Sequence, residues 1–207
     1  MHLYSFDSAP SPRRVILNLR FKGVEVPTTQ VDMRSGAHRE PEYLAINPQG
    51  TVPALLTDEG ILLTEVLAIC DYLESVFPDK PLFGTTAIER GLVLNWMNRI
   101  YGGVLMAFAE MLRNSSPAFA NRALPGPLDV EQIPALAERG RLRYRQILEL
   151  FDTEMEERAF LCGDWLSQAD IDLFIGVQTG SWVKERLPES CEKLHAWYQR
   201  TAEALSE

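Results

Sequence analysis

Ile46-Asn47-Pro48-Gln49-Gly50-Thr51-Val52-Pro53-Ala54-Leu55-Leu56 sets two prolines and a glycine directly ahead of a short apolar run. Pro48, Gln49 and Gly50 spell a tight turn. Pro53 stands where a strand begins. Lacking an N–H, it cannot donate to a ladder and fits only a strand's first residue or an edge. The residues alone leave the Val52-Pro53 bond open between trans, the common form, and cis. A turn, a bent Val-Pro step and a strand leave the main chain of Val52 open to something other than the sheet. That is the first pointer to function.

Downstream of this stretch the pattern predicts a hairpin, Ala54 to Thr57, a turn at Asp58-Glu59-Gly60, then Ile61 to Leu63. Thr64 is the expected cap of a helix whose face carries Val66, Ile69, Cys70, Leu73, Val76 and Phe77 and which ends before Pro78. Upstream, Leu3 to Phe6 reads as a strand. Ser11 followed by Pro12 gives a capping hydroxyl and a first-turn proline. Val15, Ile16 and Leu19 recur at helical spacing and Gly23 closes the helix. Val24 to Val31 is the expected second strand, so the first thirty or so residues form a βαβ unit. Arg34 to His38 is loop, and Glu40 to Ile46 a short helix.

Pro78 to Gly84 has the composition of a linker, and no strand is expected beyond Thr85. Ala87 to Arg113 is one long helical pattern with a bend at Gly102-Gly103. Asn114 to Pro134 holds Pro117, Pro125, Pro127 and Pro134 and reads as loop or broken helix. Ala135 to Glu157 is a charged amphipathic helix. Ser167-Gln168-Ala169-Asp170 matches a capping box opening an apolar helix to about Val177. Glu189 to Leu205, with Leu194, Trp197 and Tyr198, is the last helix. The expected fold class is α/β plus all-α, with a small α/β domain over 1–79, a linker over 80–86 and an all-helical domain over 87–207.

The chain has 207 residues, 20 basic and 29 acidic, for a net charge of −9. Such a balance argues against nucleic acid or an anionic membrane as the main partner, since both need clustered Lys and Arg. No apolar run approaches the ~18 residues of a membrane span, and the N-terminus lacks a signal-peptide pattern. Cys70, Cys162 and Cys191 are odd in number and far apart, as expected of reduced thiols in a cytoplasmic protein. His2, His38 and His195 are too scattered for a metal site, and no metal is expected.

Four motifs now stand in order: Ser8-Ala9-Pro10 after strand one, Asn47-Pro48-x-Gly50-x-Val52-Pro53 before strand three, Thr64-Glu65-Val66 opening the third helix, and Ser167-x-x-Asp170. With them the sequence resembles the cytosolic glutathione transferase family over essentially its whole length, and the Pro12-Arg13-Arg14-Val15 start looks most like its bacterial members. The resemblance implies a thioredoxin-like domain that binds glutathione as co-substrate, and a helical-bundle domain that contributes the electrophile pocket. It makes Val52-Pro53 cis, with the Val52 main chain pairing with the cysteinyl backbone of glutathione in the manner of an added strand. Glu65 receives the γ-glutamyl amino group, and the Val66 amide meets its carboxylate at the helix N-terminus. Relatives usually carry a hydroxyl residue where this chain has Val66, so one side-chain bond is missing and binding is expected to be weaker. Gln49 and His38 stand where relatives place groups for the glycyl carboxylate.

Catalysis in the family means stabilising the glutathione thiolate beside a hydroxyl or cysteine at the end of strand one. A free thiol near pKa ~8.5 is only a few per cent ionised at pH 7. Where some bacterial classes carry a cysteine this chain has Pro10, and Tyr4 lies within the strand. The candidates are Ser8, which precedes Ala-Pro as in serine-type classes, and Ser11, which has the competing role of helix cap. Ser167 and Asp170 are structural. Tyr101, Met106, Phe108 and Arg113 are candidates for the acceptor pocket. The implied function is conjugation of glutathione to a small electrophile by a cytoplasmic homodimer acting in detoxification. Two alternatives stay open: a glutathione-dependent disulfide reductase, and a non-catalytic binding or assembly module on the same fold.

Overall fold

The computed structural model describes residues 1–206, which divide into two compact units. The first is discontinuous, Met1–Lys80 with Leu124–Asp129. The second comprises Pro81–Ala123 and the chain from Val130 onward. The segment Leu124–Asp129, which the sequence reading leaves in the helical half, thus belongs with the first unit.

In the first unit β1 (His2–Ser5), β2 (Thr28–Gln30), β3 (Ala54–Leu56) and β4 (Leu62–Leu63) form one sheet in the order β2-β1-β3-β4. β1 and β2 are parallel, in register from Leu3↔Thr28 to Ser5↔Gln30. A parallel pair needs a crossover, which α1 (Pro10–Lys22) supplies. β3 runs antiparallel to β1, with Tyr4 opposite Ala54, and β4 antiparallel to β3, with Leu63 opposite Leu55. The short α2 (Pro41–Leu44) lies between β2 and β3, and α3 (Val66–Val76) follows β4. Val15 and Leu19 of α1, Ile69, Cys70 and Leu73 of α3, and Leu3 and Leu55 of the sheet are all buried. Lys22 is buried as well. Its Nζ pairs with Glu74 at 2.7 Å and donates to the carbonyls of Phe77 and Lys80, tying the end of α1 to α3 and the chain beyond it.

Several local expectations change. α1 starts at Pro10 with Ala9 as its cap residue, so Ser11 lies inside the first turn and caps nothing. Pro10 with its fixed φ is already suited to the first helical position. β2 covers three residues rather than Val24 to Val31. Pro27 precedes it, and only its carbonyl enters the sheet, accepting from Leu3 N–H at 2.9 Å. Glu65, not Thr64, is the cap residue of α3, without a side-chain capping bond. Val76, expected on the buried face, is 41% exposed.

The second unit contains α4 (Ala87–Ile100), α5 (Met106–Ser115), α6 (Pro134–Met155), α7 (Gln168–Gly180) and α8 (Glu192–Ala204). The bend expected at Gly102-Gly103 is a π turn, Tyr101–Leu105. A Cβ at position 103 would come within 2.6 Å of Ile147 Cγ1, so glycine there permits α6 to approach. Apart from isolated bridges, no strand occurs beyond Thr85 among the described residues. The capping box of α7 is present. Asp170 is fully buried and accepts from Leu161 N–H, Ser167 N–H, Ser167 Oγ and Trp197 Nε1 at 2.6 to 2.9 Å. Those donors hold the start of α7 to α8 and to the loop before it. No helix of the described chain is long and apolar enough to cross a membrane.

Candidate functional site

Sheet register decides what converges in the first unit. β1 and β3 are antiparallel with Tyr4 opposite Ala54, so the chain leaving β1 and the chain entering β3 lie at one end of the sheet. β4 is antiparallel to β3 with Leu63 opposite Leu55, so it leaves toward the same end. β2 is parallel to β1 and leaves there too. Ser8, His38, Val52 and Glu65 are therefore carried by three connections at that end, β1 to α1, β2 to β3 (which holds both His38 and Val52) and β4 to α3.

The turn before β3 is held by side chains. Asn47 is buried; its Nδ2 donates to the Thr51 carbonyl at 2.8 Å and to Thr51 Oγ1 at 3.2 Å, while its Oδ1 accepts from Gln49 N–H at 3.1 Å. Tyr43 Oη donates to the same Thr51 carbonyl at 2.6 Å. Gly50 adopts φ +58°, and a Cβ there would stand 2.9 Å from the His38 carbonyl oxygen, so both conformation and space demand glycine. Val52 buries its side chain with Val31 and Tyr43, against Tyr4, Phe6 and Ile46. The Val52-Pro53 peptide is cis, and pairing of β3 with β1 starts only at Ala54. The side chain of Val52 thus belongs to the core while its main chain lies ahead of the ladder.

At the end of β1 the chain turns at once, Ala9 N–H donating to the Phe6 carbonyl at 2.8 Å. Asp7 fixes this turn. Its Oδ1 accepts from Ser5 Oγ (2.6 Å) and Gln30 Nε2 (2.8 Å), and its N–H donates to Gln30 Oε1 (3.2 Å). Ser8 is exposed and Ser11 half-buried. No hydrogen bond to either hydroxyl occurs among the described residues. With Pro10 and Pro12 lacking an N–H, Ser11 supplies the one free amide of the first turn before Arg13 N–H bonds the Ala9 carbonyl.

At the start of α3 the first intrahelical bond runs from Ile69 N–H to the Glu65 carbonyl, leaving the amides of Val66, Leu67 and Ala68 as free donors. Glu65 is exposed. Val66 is 6% exposed, packed as a core residue. His38, expected at the glycyl carboxylate, is 7% exposed. Gln49 is exposed.

Two family models match, Glutathione S-transferase N-terminal domain over residues 9–76 and Glutathione S-transferase C-terminal domain over residues 107–204. Glutathione S-transferase 2 of Saccharomyces cerevisiae is 34% identical over 205 residues, 97% of this chain and 84% of the relative. The chain belongs to the glutathione S-transferase family. GstA of Escherichia coli O157:H7 is 30% identical over 189 residues, 90% of this chain and 86% of the relative. Among solved structures, Gtt2 from Saccharomyces cerevisiae superposes with a TM-score of 0.87 at 31% identity, covering 98% of this chain and 96% of its own. A glutathione S-transferase domain-containing protein of Marinobacter aquaeolei VT8 gives 0.88 at 28% identity, covering 98% and 97%.

In the helical unit of this family member the four acceptor-pocket candidates separate. Tyr101, which opens the π turn, and Met106, which follows it, are exposed. Phe108 is a core residue, edge-to-face with Trp182 at 6.0 Å. Arg113 donates to the Arg122 carbonyl at 3.0 Å and stacks on Phe119; burial, then the Arg122 charge, lowers its pKa. Phe108 and Arg113 are therefore occupied in packing.

Sequence reasoning missed Tyr43, Asn47 and the Asp7–Gln30 pair. Each fixes a loop through a contact 4 to 23 residues away in the chain. Only Asn47, which lies within the quoted motif and next to the Pro48 turn, carried a local signal, as an Asn whose side chain bonds the backbone two residues on.

Proposed function

We propose that this chain is a glutathione transferase that binds glutathione in its first unit, ionises the thiol and adds it to a small electrophile. The observation that carries this is the sheet register, which sends Ser8, His38, Val52 and Glu65 out from one edge. Glutathione is an extended tripeptide with a charge at each end and a thiol in the middle. The Val52 main chain, ahead of the ladder, offers strand-like pairing for the cysteinyl backbone. The free amides at the start of α3 suit the γ-glutamyl carboxylate, and the exposed Glu65 carboxylate suits the amino group beside it. His38 and Gln49 take the glycyl end.

The thiol needs a donor to its sulfur. Each unit by which the pKa falls corresponds to ~1.4 kcal/mol, within reach of one hydroxyl bond and the positive end of α1. Ser8 and Ser11 are the hydroxyls at that end, both without competing bonds, and Ser11 adds the free amide. The electrophile pocket is assigned to the helical unit, where Tyr101 and Met106 are exposed. The working form is a homodimer in the cytoplasm, a location in keeping with three cysteines that form no disulfide, and the role is detoxification.

Isothermal titration with glutathione tests the binding, and turnover of chloro-dinitrobenzene tests the conjugation. Failure to bind at millimolar ligand sinks the proposal. Binding with turnover of hydroxyethyl disulfide alone moves the assignment to disulfide reduction. An absorbance titration of the bound thiol in Ser8→Ala and Ser11→Ala assigns the hydroxyl, since only loss of the donor raises the thiol pKa.

A further inference from the structure

The proline-rich loop of the helical half contains a six-residue strap, Leu124-Pro125-Gly126-Pro127-Leu128-Asp129. Its two ends are clamped, Ala123 N–H donating to the Val130 carbonyl at 3.0 Å and Val130 N–H to the Asn121 carbonyl at 2.9 Å. The loop leaves and returns at one place, in the manner of an Ω-loop. The strap itself packs with the first unit. Arg39 Nη2 donates to the Pro127 carbonyl at 2.9 Å and to Asp129 Oδ1 at 3.0 Å. A Cβ at position 126 would stand 3.5 Å from the Gln49 carbonyl oxygen, ordinary contact distance. The strap thus rests on the corner made by residues 38–39 and 49–50, where Gly50 packs beneath the His38 carbonyl.

Chemically this corner is unusual because a carboxylate already occupies it. The Asp129 side chain is 75% exposed, and its partner Arg39 is 30% exposed. An exposed ion pair contributes little and is readily exchanged. A guanidinium offers five donors in a fork suited to carboxylates, and among the described residues only Nη2 is engaged. We propose that Asp129 stands in on Arg39 for the terminal carboxylate of the thiol cosubstrate, so that the strap sets selectivity at the glycyl end of the site. This rests on the glutathione reading, which gives that end to His38 and Gln49. An anionic glycyl end must share Arg39 with Asp129, while a thiol lacking that charge is indifferent to Asp129.

The test compares the Kd of glutathione with that of its glycyl monoethyl ester, at fixed ionic strength, in the wild type, Asp129→Asn, Arg39→Gln and the double variant. Asp129→Asn should tighten glutathione about two- to five-fold, the range of an exposed charge pair, and leave the ester unchanged. Arg39→Gln should weaken glutathione about ten-fold relative to the ester, as loss of a charged hydrogen bond does. In that background Asp129→Asn should lose most of its effect. Should Arg39→Gln fail to fold, the Asp129→Asn comparison with the ester decides alone. Unchanged or weaker glutathione binding in Asp129→Asn, or an equal shift for the ester, overturns the inference while the glutathione reading stands. Absence of binding of either thiol to the wild type overturns both.

Discussion

The Thr51 carbonyl accepts two hydrogen bonds, from Tyr43 Oη at 2.6 Å and from Asn47 Nδ2 at 2.8 Å, and this doubling makes a quantitative prediction. Tyr43→Phe removes one donor and leaves the other, so it should cost about 0.5–1.5 kcal/mol of stability, the net worth of a typical bond. Asn47→Ala removes three bonds, because Asn47 also donates to Thr51 Oγ1 and accepts from Gln49 N–H. Gln49 is exposed, so its amide recovers water, and the expected cost is about 1.5–3 kcal/mol. With both changes the half-buried carbonyl has no donor left. The double variant should then exceed the sum of the singles by about 1 kcal/mol, within the coupling seen for residues sharing one network. Urea unfolding of the four proteins measures the cycle. Glutathione titration should show Asn47→Ala, which frees the whole turn before Val52, weakening binding more than Tyr43→Phe. A coupling below about 0.5 kcal/mol, or equal binding losses, would refute the claim that the shared carbonyl organises the turn.

Glu65→Gln should weaken glutathione about ten-fold or more, the loss of a hydrogen bond to a charged group, with stability nearly unchanged in thermal unfolding, since Glu65 makes no capping bond. Val66→Thr should tighten glutathione by two- to ten-fold, about one added bond, while lowering stability by about 1–2 kcal/mol because the hydroxyl enters a buried position; titration and denaturation read the two separately. Burial raises the Cys162 thiol to about 11, above its value in the unfolded chain. Its contribution to stability is therefore fully present below about pH 9 and lost as pH rises toward 11, so the melting temperature of Cys162→Ala should depend less on pH than the wild type's across that window. Asp170→Ala strands the buried donors of Leu161, Ser167 and Trp197 and should cost several kcal/mol in urea unfolding, with Trp197 emission following the transition.

Periodicity and punctuation carried most of the fold. The βαβ opening, the hairpin, the Ser167 box and the four helical stretches after Pro81 all had their signals in neighbouring residues. Errors fell where a local signal had two readings. Ser-Pro at 11–12 fits a cap, yet Ala-Pro at 9–10 starts the helix two residues earlier, because Pro10 is equally suited to the first position. Val24 to Val31 alternates well enough for a strand, yet Pro27 interrupts its donors. The Leu124–Asp129 strap was beyond reach for a different reason: its partners Arg39 and Gln49 lie some eighty residues earlier in the chain, and no spacing rule connects them. The same holds for Tyr43 and for the Asp7–Gln30 pair, whose importance rests on tertiary contacts.

The correction at α1 bears directly on the chemistry. As a cap, Ser11 would have spent its hydroxyl on a backbone amide of its own helix. Inside the first turn it has no such duty, and the prolines on both sides remove the amides that would otherwise compete with its own. The start of α1 thus presents one N–H and one hydroxyl from a single residue, backed by the positive end of the helix. Ser8 reaches the same region from the turn held by Asp7, whose carboxylate is drawn back onto Ser5 and Gln30. That arrangement matters because a free carboxylate beside a thiolate would oppose ionisation. The bonds from Ser5 and Gln30 hold Asp7 Oδ1 on the sheet side of the turn and leave Ser8 and Ser11, among the described residues, as the hydroxyls without a bond at the end of β1. On the proposed reading, these two serines are the groups that would hold a negative sulfur in a site with no cysteine or tyrosine at that point.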